Sequence, residues 1–255
     1  MAAGEVTVIK VGGNEVDDRE WVARLAVAVR KRGPAVIVHG GGKEVTELQR
    51  ALGAEPEWRD GLRVTTPEAM RAVSMVLSGL VNKRLVSALV GAGVDALGVS
   101  GEDAGLLRAI VARDGALGRT GKIAEVRAEL LRVWLRMGLT PVISPVSRGP
   151  DGEPLNVNAD DAAAAVASAL RAEELLFVSN VPGVLVDGRT RGGVDGDEVE
   201  EMVAAGVATG GMAPKLRAAA RAAHGVGSVR IGDLQMLRDA DAGTRVRGAM
   251  LGATA

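Results

Sequence analysis

Two glycine turns with lysines beside them are the first residues in the chain whose types and spacing could do chemistry. Lys10-Val11-Gly12-Gly13 closes one β-branched run, and His39-Gly40-Gly41-Gly42-Lys43 closes the next. Glycines after a strand let backbone N–H groups approach an anion, and a helix starting near residue 44 adds the positive end of its dipole. Either turn alone is an ordinary tight βα connection. Two of them, each at the carboxyl end of a strand and neighbours on one sheet edge, point to a phosphate or carboxylate ligand. Neither is a P-loop, because the nearest candidate, Gly118-Arg119-Thr120-Gly121-Lys122, is followed by Ile123 where Ser or Thr is required.

Three further groups carry charge or amides into the second half. In Gly210-Gly211-Met212-Ala213-Pro214-Lys215, Pro214 suits the first turn of a helix and puts Lys215 near its amino end. That lysine is either a phosphate ligand or a solvated surface charge. In Asn156-Val157-Asn158-Ala159-Asp160-Asp161, an extended backbone would turn Asn156 and Asn158 to one side, as a substrate-facing pair. Asn158, Asp160 and Asp161 are equally good helix caps. Arg63, between Gly61 and Thr66-Pro67, has the planar fork to grip a carboxylate or to pair with a surface acid.

Composition narrows the classes. The 255 residues are 47% hydrophobic, enough for one large α/β domain or two closely joined lobes. Lys plus Arg number 31 against 32 for Asp plus Glu, so no general basic field gathers nucleic acid or an anionic membrane. The chain has no cysteine and two histidines, which excludes disulfides and a cysteine nucleophile and argues against structural zinc. No signal peptide is visible, and no apolar run approaches the roughly 20 residues of a membrane span. A cytoplasmic protein is expected.

The elements that must position these groups alternate. Strands are predicted over 6–11, 35–38, 96–99, 141–144, 175–179 and 228–231. Helices are predicted over 21–32, 44–52, 67–91, 124–137, 160–170 and 214–223. This βαβ rhythm predicts an α/β fold with a parallel or mostly parallel sheet. A soft boundary near residue 150 divides 1–150 from 151–255.

In order and spacing these segments resemble the acetylglutamate kinase branch of the amino-acid kinase family, from about residue 6 to 248. The likeness is carried by Lys10-Val11-Gly12-Gly13, the 39–42 turn, Gly61-Leu62-Arg63-Val64-Thr65, Val81-Asn82-Lys83, the 156–160 segment, Asn180-Val181-Pro182-Gly183-Val184 and the 210–215 segment. The resemblance implies a three-layer αβα sandwich, with lobe 1–150 binding the acyl amino acid and dimerising, and lobe 151–255 binding ATP. It implies phosphorylation of the side-chain carboxylate of N-acetyl-L-glutamate, with ATP and Mg²⁺. By matching position, Gly41, Gly42, Arg63 and Asn156 would contact that substrate. Gly12, Gly13, Ser179, Asn180, Val181, Pro182, Gly183, Val184, Val207, Ala208 and Thr209 would line the nucleotide site. Lys10 and Lys215 would stabilise the moving phosphoryl group, and Asp160 would hold the two lysines.

A carboxylate with a reference pKa near ~4.3 needs no general base, so the lack of a catalytic histidine is no objection. Charge neutralisation is the requirement, because an anion attacks an anion. Segments 100–103 and 231–234 depart from the family's usual pattern without removing a proposed group. Arginine-inhibited hexameric members of the family carry an additional N-terminal helix, and about five residues precede the first strand here, so the resemblance implies a homodimer without arginine feedback. Two alternatives are a kinase for α-aminoadipate or glutamate attached to a carrier protein, and a non-catalytic ligand sensor.

Overall fold

Runs such as Val8-Ile9 and Val36-Ile37-Val38 are apolar at every position, which suits strands covered on both faces rather than one. The computed structural model describes residues 6–12, 15–59 and 61–249. It opens with β1 (Thr7–Val11), α1 (Arg19–Arg32), β2 (Ala35–His39), α2 (Gly42–Ala51) and a hairpin of β3 (Glu57–Arg59) and β4 (Leu62–Val64). Next comes one long helix made of α3 (Pro67–Ser74), a π-helical stretch Met75–Val81, and α4 (Asn82–Gly91). β5 (Ala96–Ser100), β6 (Leu107–Val111), β7 (Thr120–Val126), α5 (Ala128–Arg136), β8 (Thr140–Ser144), β9 (Val146–Arg148) and β10 (Pro154–Val157) follow. The chain continues through α6 (Ala159–Leu170), β11 (Glu174–Val178), and the short strands β12 (Leu185–Val186), β13 (Arg189–Thr190) and β14 (Gly193–Val194). It closes with α7 (Val199–Ala204), α8 (Met212–Ala222), β15 (Ser228–Gly232) and β16 (Thr244–Val246).

The main sheet has the order β14-β16-β15-β11-β1-β2-β8-β5. Every pair in it is parallel except β15 with β16. Alternate residues face opposite layers. Val8, Val36, Val38 and Phe177 join one core with residues of α5, α6 and α8, while Ile9, Ile37 and Leu176 join a second with residues of α1 and α4. This is the αβα sandwich that the resemblance implies, built on the mainly parallel sheet that the alternation of strands and helices predicts.

Local chemistry starts the helices where the sequence signals them. Asp18 caps α1 by accepting from Glu20 N at 2.9 Å, Thr66 caps α3 ahead of Pro67, and Asn158 caps α6 by accepting from Asp160 N at 2.8 Å. The helix Pro67–Gly91 is long and apolar enough, by length and composition, to cross a bilayer, contrary to the expectation that no such run exists. Here it lies against the sheet and buries Met70, Val73, Val76, Leu77, Val81, Leu85 and Leu89 in the second core.

The helix expected over 124–137 begins only at Ala128, because 120–126 is drawn into β7. β7 pairs with β6 and β10, and with β9 these four strands close a small barrel that alternation in the sequence does not announce. Residue 150 falls in the turn between β9 and β10, which pair with each other.

Candidate active site

The carboxyl ends of β1 and β2 bring the two glycine turns side by side, with Gly40 N donating to Val11 O at 3.2 Å. Beside them opens a cleft of about 460 Å³ lined by Lys10, Gly41, Gly42, Arg63, Asn156 and Asp160, among others. Six of the residues predicted for chemistry or substrate binding thus share one cavity, although they come from β1, the turn before α2, β4, β10 and α6.

One end of the cleft is a buried charge cluster. Lys10 Nζ lies 2.7 Å from Asp160 Oδ1, with both side chains at least nine-tenths buried. The contact is ionic rather than a well-aligned hydrogen bond, and Asp160 Oδ1 has no hydrogen-bond partner. Lys215, in the first turn of α8, is also buried. Burial first, and then the like charge of Lys10, hold its ammonium below the usual lysine range, while Asp160 and Glu15 pull the other way. Glu15 was not foreseen. It is buried against Gly12, where an added Cβ would fall 2.2 Å from the Glu15 carboxylate. An acid just after a glycine–lysine turn is the signal that could have found it.

At the other end Arg63 is buried and held by three acceptors, which leaves two of its five N–H donors for a ligand. Its Nη1 donates to Gln49 Oε1 at 2.9 Å, and its Nη2 donates to Thr46 Oγ1 at 2.7 Å and to Gly42 O at 3.1 Å. The Trp58 ring, half exposed on β3, covers the guanidinium with its centroid 4.4 Å from Cζ. Gln49, Thr46 and Trp58 have no sequence signature, since each acts only through the hairpin and α2 meeting at Arg63. Asn156 donates to Thr65 Oγ1 at 3.0 Å, so it is tied to the same β4 segment. Asn158, left open as ligand or cap, caps α6 while still lining the cleft.

Gly41 is required by close approach. A Cβ there would sit 2.7 Å from Leu77 Cδ2, on the π-helical stretch. α2 starts immediately after, and Gly42 and Lys43 of its first turn line the cleft.

The residues expected at the nucleotide site do not line this cleft. Gly13 lies outside the described residues. Gly12 bonds beneath Lys10, its N–H donating to Val178 O at 3.2 Å. Ser179, Asn180, Val181, Pro182, Gly183 and Val184 follow β11, where Ser179 N donates to Gly232 O and Val184 N to Thr244 Oγ1, both at 2.8 Å. Val207, Ala208 and Thr209 lie between α7 and α8, with Ala208 buried and Val207 exposed. Val184 is also buried, so its side chain and that of Ala208 belong to the core.

A family model described as the amino acid kinase family matches residues 5–233. The chain belongs to the amino acid kinase family. An acetylglutamate kinase of Roseiflexus sp. (strain RS-1) is 51% identical over 234 residues, covering 90% of this chain and 89% of that protein. The crystal structure of smu.665 from Streptococcus mutans UA159 superposes with a TM-score of 0.85 at 30% identity, over 95% of this chain and 98% of that one. Carbamate kinase from Giardia lamblia, bound to AMP-PNP, gives a TM-score of 0.72 at 19% identity, over 97% of this chain and all of that one. At that identity the likeness speaks for the fold alone. Family membership makes the chain a kinase, and the cleft lies at the carboxyl ends of β1 and β2, where open α/β sheets place ligands.

Among the described residues no group of three or more His, Asp or Glu is placed to cage a metal ion.

Proposed function

We propose that this kinase transfers the γ-phosphoryl group of ATP to the γ-carboxylate of N-acetyl-L-glutamate, forming N-acetyl-L-glutamyl 5-phosphate in arginine biosynthesis. The observation that carries it is a single cleft with the buried Lys10–Asp160 pair at one end and the acceptor-locked Arg63 at the other. The high identity to proteins named acetylglutamate kinase supports the same reading. No observation favours the carrier-bound substrate.

Arg63 takes the substrate's α-carboxylate, Asn156 a second polar group, and the N–H groups at Gly41 and Gly42 the reacting end. The γ-carboxylate is ionised at neutral pH, so its oxygen attacks the γ-phosphorus directly. The bond to the bridging oxygen breaks, ADP leaves, and no proton moves. Lys10 and Lys215 neutralise charge spread over the equatorial oxygens, and Asp160 holds Lys10 in place for them. Mg²⁺ bound with the nucleotide would supply further charge neutralisation.

The nucleotide is held by Gly12, Gly13 and the backbone of 179–184 and 207–209, with residues 151–255 as the ATP lobe and 1–150 as the acyl lobe. A cytoplasmic homodimer completes the reading, and light scattering of the purified protein tests that state. The decisive experiment is hydroxamate trapping with ATP, Mg²⁺ and hydroxylamine. N-acetyl-L-glutamate is expected to give signal where glutamate and N-acetyl-L-aminoadipate do not. Silence with N-acetylglutamate from protein that still binds ATP would overturn the assignment.

A further inference from the structure

The turn that forms the acyl end of the cleft rests on a buried chain of polar groups that the reaction does not itself use. His39, the last residue of β2, is fully buried, and its Nδ1 lies 2.9 Å from Gly40 O. A carbonyl only accepts, so Nδ1 carries the proton. Burial holds the ring's pKa down to about 4, so the imidazole is neutral and Nε2 must accept. The group facing Nε2 is Asn82 Nδ2, 3.1 Å away.

The orientation of Asn82 is set on every side. Its Nδ2 also lies 2.9 Å from Val142 O on β8, while Oδ1 accepts from Lys83 Nζ at 3.1 Å. Lys83 Nζ in turn reaches Gly98 O at 3.0 Å and is the cation that faces the ring. On β5 a Cβ at Gly98 would fall 2.2 Å from Asn82 Oδ1, so that strand gives up a side chain to admit the amide. The π-helical stretch ends at Val81, one residue before Asn82. It presents Leu77 and Val81 against Gly41 and delivers Asn82 beneath His39.

We propose that Asn82 is a positioning residue for the acyl-substrate turn: it fixes His39 as the Nδ1–H tautomer, and His39 holds the Gly40 carbonyl so that the N–H groups at Gly41 and Gly42 face the substrate. This rests on the reading of that turn as the N-acetylglutamate site.

Steady-state kinetics of Asn82→Ala, Asn82→Asp and His39→Gln, varying each substrate in turn, provide the test. His39→Gln keeps an acceptor near the place of Nε2 but loses the Nδ1–H donor. In all three the KM for N-acetylglutamate is expected to rise roughly tenfold, about the worth of one hydrogen bond, with the KM for ATP within about twofold. Equal changes in both KM values, or none, would overturn the proposal. Should Asn82→Ala not fold, the other two variants carry the comparison.

The second readout is ¹⁵N NMR of His39 without substrate. The native ring is expected as Nδ1–H at neutral pH, and Asn82→Asp, whose carboxylate only accepts, is expected to draw a proton to Nε2. A native Nε2–H ring would also sink the proposal. Native protein that makes no acylphosphate from N-acetylglutamate would overturn the substrate reading, while the tautomer would still decide the hydrogen-bond chain.

Discussion

Lys10 Nζ sits 2.7 Å from Asp160 Oδ1 in a space from which water is nearly excluded, and Lys215 feels both charges. Asp160 is the ion-pair partner of Lys10, and its negative charge also favours the ammonium form of Lys215. Without substrate the two like charges repel, which is part of why the Lys215 ammonium is harder to keep than a surface lysine.

Replacing Lys215 should therefore damage turnover far more than folding, whereas replacing Lys10 damages turnover and also strands the buried Asp160 carboxylate. Lys10→Ala and Lys215→Ala are each expected to lower kcat by about 10²–10³-fold, the usual cost of one charge-stabilising donor. For Lys215→Ala, loss of a buried cation beside another leaves stability within about 1 kcal/mol of native. Acylphosphate assays paired with urea unfolding check both statements, and near-native kcat in the two variants would remove the lysines from the mechanism.

Arg63→Lys keeps the charge and loses the fork. One ammonium cannot satisfy Gln49 Oε1, Thr46 Oγ1 and Gly42 O while gripping a carboxylate. The KM for the acyl substrate is expected to rise by about 10²-fold with the KM for ATP little changed. Substrate titration at saturating ATP measures it.

The buried His39 makes stability depend on pH in a defined direction. Its folded pKa is depressed to about 4 from an ordinary 6.5, so below pH 6.5 the unfolded chain takes a proton that the folded one refuses. The contribution is complete above about pH 6.5 and is lost as pH falls towards 4, by roughly 3 kcal/mol at 1.36 kcal/mol per pH unit. Between pH 7 and 4.5, urea unfolding of the native protein should lose roughly 2–3 kcal/mol more than His39→Gln does. Parallel curves for the two proteins would contradict it.

Arg230 predicts a stability effect remote from the cleft. It is 2% exposed and donates to the carbonyls of Met236, Asp239 and Ala242 and to Glu174, which also pairs with Arg32. Arg230→Met strands these acceptors and should cost about 3–5 kcal/mol, the scale for breaking a buried pair. Thermal unfolding is expected to fall by roughly 10 °C.

The sequence by itself determined the elements whose signals are local. Thr66-Pro67 and Asn158 announce helix starts, the β-branched runs announce strands, and the glycine turns announce an anion-facing sheet edge. It also supplied Lys10, Arg63, Asn156, Asp160 and Lys215 as candidates. Only the tertiary structure decided that Lys10 and Asp160, 150 positions apart, are ionic partners, because their meeting depends on α6 packing over β1. The same holds for the end of β7, where 124–126 reads as helix until β6 supplies its ladder, and for Trp58, Gln49 and the His39–Asn82 pair. A side chain whose role is to hold another carries no local pattern, since its partner is fixed by chain segments that meet only after folding.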